Sequence, residues 1–157
     1  MEENEILNLL ICDNHHANIR GVKEMLSGMH FKIEYWETKD KMEMRRKIES
    51  KKIKMVIACI RKEDNNCFDA IIEIQTAFPE LKILVITDCI NTGMIKRLVE
   101  AEIMGILHDN HNEPELRKAV LQLLDGDYAY IDIAKTILKS FKQRNKEGIK
   151  VFKKKSQ

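Results

Sequence analysis

Five short apolar runs, each followed by a segment of helical period, constrain this chain more than anything else in it. The runs cover residues 6–12, 31–36, 53–59, 81–87 and 103–108. Between them, apolar residues recur at three- and four-residue steps, as in Val22, Met25, Leu26 and Met29, or Ile95, Leu98 and Val99. Strand-length runs alternating with helical periodicity predict βα units and a parallel sheet. The second run alternates apolar and polar residues and belongs toward an edge, whereas residues 53–59 are nearly all apolar and belong at the centre. Residues 39–51 read as a highly charged helix, and Ile71, Ile72 and Ile74 mark another. A further helix has clear start and stop signals: Asn112 as cap, Pro114 in the first turn, Glu115 three residues after the cap and Gly126 past the last apolar residue. One more helix is expected from Asp132, with Ala134, Ile137, Leu138 and Phe141 on one face.

The expected fold is α/β: five parallel strands in an open, doubly wound sheet with flanking helices and an extra C-terminal helix. In such sheets ligands bind at the carboxyl ends of the central strands. That rule selects Asp13, Cys59 and Thr87, each at the end of an apolar run.

Length and composition fit one soluble domain, because 157 residues with 44% hydrophobic and 33% charged residues can enclose a single core. Lys+Arg 27 against Asp+Glu 25 leaves a net charge of +2, which does not suggest a dedicated nucleic-acid binder. The start, Met1-Glu2-Glu3-Asn4-Glu5, is acidic where a secretory signal is basic, and no apolar stretch approaches the ~20 residues of a membrane span. A cytoplasmic protein with no membrane partner is therefore expected. The cysteines (Cys12, Cys59, Cys67, Cys89) contain no CxxC pair, so reduced thiols are the default. His15 and His16 stand side by side, but adjacent side chains diverge and make a poor metal pair. Six glycines without a Gly-rich loop give no support for dinucleotide binding, and no nucleophile–base pair marks an enzyme.

The strand ends resemble those of bacterial response-regulator receiver domains, which have the CheY-like (flavodoxin-like) fold. Ile11-Cys12-Asp13-Asn14-His15 is similar to the first-strand motif that supplies two Mg²⁺-binding acids. Ile83-Leu84-Val85-Ile86-Thr87, preceded by Phe78-Pro79, is similar to the fourth strand with its terminal Thr or Ser. Gly105-Ile106-Leu107-His108-Asp109 falls where the family has a Gly, a switch aromatic and a Lys. Glu115 to Ala134 resembles the NarL-type branch, whose receivers are joined to a LuxR-type DNA-binding domain. By that resemblance residues 1–127 form the receiver, and residues 128–157 a linker helix with a Lys-rich tail. A LuxR-type domain needs ~60 residues, and the stretch after Phe141 has no room for one. The chain is then either a stand-alone receiver or a piece of a longer one.

The resemblance also implies a degenerate site. Asn14 replaces one metal-binding acid, leaving Asp13 as a weak, doubtful ligand, so no cofactor is expected and Mg²⁺ binding is doubtful. Cys59 takes the place of the phospho-acceptor Asp. Thr87 is kept, and Ile106 stands at the switch position. A gapless count places Asp109 at the family's Lys, and a one-residue slip would place His108 there. The leading expectation is a pseudo-receiver of a two-component or phosphorelay system. It would work by protein–protein contact without aspartyl phosphorylation, on a histidine kinase, another regulator or a second copy of itself as a homodimer. The alternatives are an atypical DNA-binding regulator acting through the basic tail, and a thiol-based sensor using Cys59 and the pocket thiol Cys89.

Overall fold

Leu7, Leu9 and Ile11 alternate with Asn8 and Leu10, and every one of these apolar side chains is fully buried. A strand that is apolar on both faces must lie inside a sheet covered on both sides. The computed structural model, which describes residues 5–13, 15–62 and 65–146, builds that arrangement. The elements follow in the order β1 (Ile6–Cys12), α1 (His16–Met25), β2 (Lys32–Thr38), α2 (Lys41–Ser50), β3 (Met55–Ile60) and α3 (Asn65–Ala77), then β4 (Lys82–Thr87), α4 (Thr92–Glu100), β5 (Gly105–His108), α5 (Glu113–Leu124), β6 (Ala129–Tyr130) and α6 (Asp132–Lys146). Asn14, the acidic Met1–Asn4 and the Lys-rich residues 147–157 lie outside the described residues.

All strand pairs are parallel, in the order β2-β1-β3-β4-β5-β6. The alternating β2 is an edge strand and the apolar β3 lies inside the sheet, as their sequences require. The reading of five strands is corrected to six. Ala129 and Tyr130 pair with Gly105 and Ile106, and the Tyr130 hydroxyl donates to the Ile103 carbonyl. Two residues carry no periodicity, so only the tertiary position of the chain makes them a strand.

Each sheet face has its own core. On one, Leu7, Leu9, Ile11, Ile57 and Ile86 pack against Ile19, Val22 and Leu26 of α1 and its end, and Leu116, Val120 and Leu123 of α5. On the other, Val56, Ala58, Ile60, Val85 and Ile106 meet Phe68, Ile71 and Ile74 of α3 and Ile95, Leu98 and Val99 of α4. Ala134, Leu138 and Phe141 of α6 join this second core, so α6 lies on α4. Asp40, Asn91 and Asn112 cap α2, α4 and α5, and Asn112 with Glu115 forms a complete capping box. These caps and cores fix the strand ends that face the solvent cleft.

Candidate functional site

Strand alternation decides what converges at the carboxyl ends. Continuing the buried series Leu9–Ile11, Ile57 and Leu107 by two residues brings Asp13, Cys59 and Asp109 to the α1/α5 face. Cys59 and Asp109 line one cavity of about 210 Å³. Asp13 is 5% exposed. Its Oδ1 accepts the His15 backbone N–H at 3.0 Å and lies 3.2 Å from His15 Nδ1. Its Oδ2 is buried with no hydrogen-bond partner among the described residues. The Cys59 thiol lies against this carboxylate. Burial first, and the Asp13 charge next, push the thiol well above its ordinary pKa, with Arg61 opposing them. Both effects favour the protonated thiol at Cys59 over the thiolate.

Thr87 is fully buried and turns the other way. Its Oγ1 accepts the Cys89 backbone N–H at 2.9 Å, which closes a local turn at the end of β4. Thr87 pairs with His108 in the β4–β5 ladder, and the next amide, Asp109 N–H, donates to the Thr87 carbonyl at 3.1 Å. Asp109 Oδ1 lies 3.0 Å from His108 Nδ1. Cys89 packs in the α3/α4-side core, while Cys59 packs in the α1/α5-side one, so the fold separates these two thiols. No disulfide links the four cysteines. Cys12 and Cys67 line a second hollow, of about 370 Å³, between α2 and α3. Burial, then Cys67 and Asp13, push the Cys12 thiol up to about 12. Among the described residues no three His, Cys, Asp or Glu side chains are grouped to hold a metal ion, and no helix is long and apolar enough to cross a membrane.

The family model of the response regulator receiver domain matches residues 9–121. The chain belongs to the receiver family. The receiver is the signalling domain of two-component response regulators. Solved structures with the same fold include the isolated receiver (REC) domain of RcsB from Salmonella enterica serovar Typhimurium, in its apo form. It is 20% identical with a TM-score of 0.74, over 85% of this chain and 98% of that one. The RcsB–DNA complex is also 20% identical with a TM-score of 0.70, over 89% and 71% of the two chains. A LuxR family DNA-binding response regulator from Silicibacter pomeroyi is 18% identical with a TM-score of 0.67, over 77% and 93%. At these identities the likeness is one of fold. No curated protein sequence matches the chain.

The receiver pocket also holds residues that sequence reasoning missed. Arg61, two positions past Cys59, lines the 210 Å³ cavity together with Asn18, Asp88 and His111. Arg61 has no carboxylate partner among the described residues. Asp88 Oδ1 accepts the Lys62 N–H at 2.8 Å. His111 Nδ1 lies 3.1 Å from the His108 carbonyl oxygen, and its Nε2 is buried without a hydrogen-bond partner among the described residues. The position of Arg61 just beyond a central strand end was the one available signal; His111 gave none. A larger hollow of about 700 Å³ lies at the opposite end of the sheet, around Ile53, Phe78 and Leu81, away from these groups.

Proposed function

We propose that this receiver signals by protein–protein contact and not through an aspartyl phosphate. The observation that carries the reading is a buried thiol, Cys59, held against Asp13 where a carboxylate nucleophile would be needed, in a cavity it lines together with Asp109. Phosphoryl transfer to a receiver needs a carboxylate nucleophile, a hard-oxygen Mg²⁺ site and a cation to complete the clamp. A protonated thiol does not attack, and it is a poor Mg²⁺ ligand. The unbroken β4–β5 register favours Asp109, not His108, at the position of the family's Lys. A carboxylate there repels the phosphoryl group that a Lys would hold.

With the covalent switch gone, the domain works through its surfaces, on a histidine kinase, another regulator or a second copy of itself, in the cytoplasm. DNA binding in the RcsB–DNA complex belongs to that protein, and the basic tail that would be needed here lies outside the described residues. A sensor built on a Cys59–Cys89 bridge is disfavoured, since the two thiols pack on opposite faces of the sheet. The test is incubation with radiolabelled acetyl phosphate and Mg²⁺, alongside NMR spectra with beryllofluoride. No label and unchanged spectra are expected. Label lost in a Cys59→Ser variant, or spectral shifts lost in Asp13→Ala, would overturn the reading.

A further inference from the structure

Charge is divided unevenly along this chain. Residues 1–132 contain 18 Lys and Arg against 24 Asp and Glu, whereas residues 133–157 contain nine against one. The near-neutral total therefore hides an acidic body and a basic end. Within that end lies α6, whose Ala134, Leu138 and Phe141 are buried in the core it shares with α4. Its other side exposes Lys135, Lys139, Lys142 and Arg144. These cations are barely neutralised. Lys139 has no carboxylate partner among the described residues. Lys142 Nζ lies 5.9 Å from the centre of the Tyr128 ring, and the Arg144 guanidinium 5.6 Å from that of Phe141. Lys135 Nζ is 3.9 Å from Asp132 Oδ1, but both side chains are exposed and such a pair is weak. Asp132 is the one acid of the helix. On α4, alongside, exposed Lys96 and Glu100 balance each other, and Asp69 holds Arg97.

The chemistry of this face selects its partner. A helix that lies on a membrane needs an exposed apolar side, and α6 exposes no large apolar residue. The centre of a protein interface is rich in aromatic residues and poor in Lys. Single-stranded nucleic acid stacks on exposed rings, and the one ring of α6, Phe141, is buried. A duplex needs only cations against its phosphates. At about 3.6 residues per turn, Lys135 and Lys142 fall on one flank of the exposed face and Arg144 on the other. The short side chains of Thr136 and Ser140 lie between them. A helix about 10–12 Å across with cations on both flanks matches the B-DNA major groove, about 12 Å wide between two phosphate strands. The major groove of A-form RNA is too narrow to take it.

We propose that the outer face of α6 docks on the phosphate backbone of double-stranded DNA along the major groove. Lys135, Lys139 and Lys142 neutralise one strand and Arg144 the other. No residue of α6 lines the cavity at the strand ends, so this binding stands whether or not that pocket takes a phosphoryl group. It gives the receiver a second surface, separate from those that meet a protein partner.

The experiment is fluorescence anisotropy of a short labelled DNA duplex titrated with the full chain, between about 50 and 200 mM salt. Binding is expected to weaken with salt, with a slope of log affinity on log salt of at least about −3. Replacing Lys135, Lys139 and Lys142 together by Gln should weaken binding at least about tenfold at the lowest salt and flatten the slope by about 3. The three side chains are exposed, and an unchanged urea transition confirms that the variant is folded. Replacing Lys153, Lys154 and Lys155 by Gln, which leaves the α6 cations in place, should retain binding. The competitors are single-stranded DNA, an RNA duplex and phosphatidylserine vesicles, and each should compete less well than the DNA duplex. No binding at about 50 mM salt, native affinity in the α6 variant, loss of all binding in the 153–155 variant, or stronger competition by any of the three would each overturn the proposal.

Discussion

At the residue scale, the pocket turns on a thiol that stays protonated. Cys12 and Cys59 both have folded pKa values above the ordinary 9.0, Cys12 at about 12. Their contribution to stability is complete below pH 9, where the unfolded thiols are still protonated. It is lost as pH rises toward the folded values, because the unfolded chain then binds fewer protons than the native one. Urea unfolding between pH 8 and 10.5 should show stability falling above pH 9, by up to about 1.4 kcal/mol per pH unit for each thiol. Cys12→Val should flatten part of that slope. Cys59→Asp places a second carboxylate against Asp13. It should cost about 1–3 kcal/mol at pH 7 and regain stability as pH falls and one of the pair protonates, read from melting curves at pH 5 and 7.

At the element scale, three helices end on a residue with positive φ: Lys52 at 51°, Glu102 at 65° and Gly126 at 82°. Each is followed by an amide that reaches back to the last turn, as Ile103 N–H does to the Leu98 carbonyl at 3.1 Å and Asp127 N–H to the Gln122 carbonyl at 2.8 Å. Only Gly126 adopts this conformation without a Cβ penalty. Glu102→Gly should therefore stabilise the protein by about 0.5–1 kcal/mol in chemical denaturation, whereas Gly126→Ala should destabilise it by a similar amount or more. At the other end of α5, Asn112→Ala removes the side-chain acceptor of the Glu115 N–H while leaving the backbone N–H of residue 112 to the Glu115 carboxylate, an expected loss of about 1 kcal/mol.

At the scale of the whole molecule, α6 is part of the receiver's core. Phe141 is 2% exposed and packs in the cluster with Leu98 and Ile95. Phe141→Ala should cost about 3–5 kcal/mol, measured by urea unfolding with a single transition. If α6 were instead a loosely held appendage, the variant would unfold as the native chain does.

The sequence by itself determined the βα order, the central β3, the edge β2, the caps of α5 and the start of α6, because strand and helix periods and cap residues are local signals. It also placed Asp13, Cys59 and Thr87 at strand ends. Only the tertiary structure decided which of these meet. The pleat sends Asp13, Cys59 and Asp109 to one face, while Thr87 turns away into a bond with the Cys89 amide. It also added a two-residue strand, brought Arg61 and His111 from separate loops into one cavity and set Cys59 and Cys89 apart. These features depend on which strands lie side by side and on the register between them. Those contacts join residues far apart along the chain, and no local period encodes them.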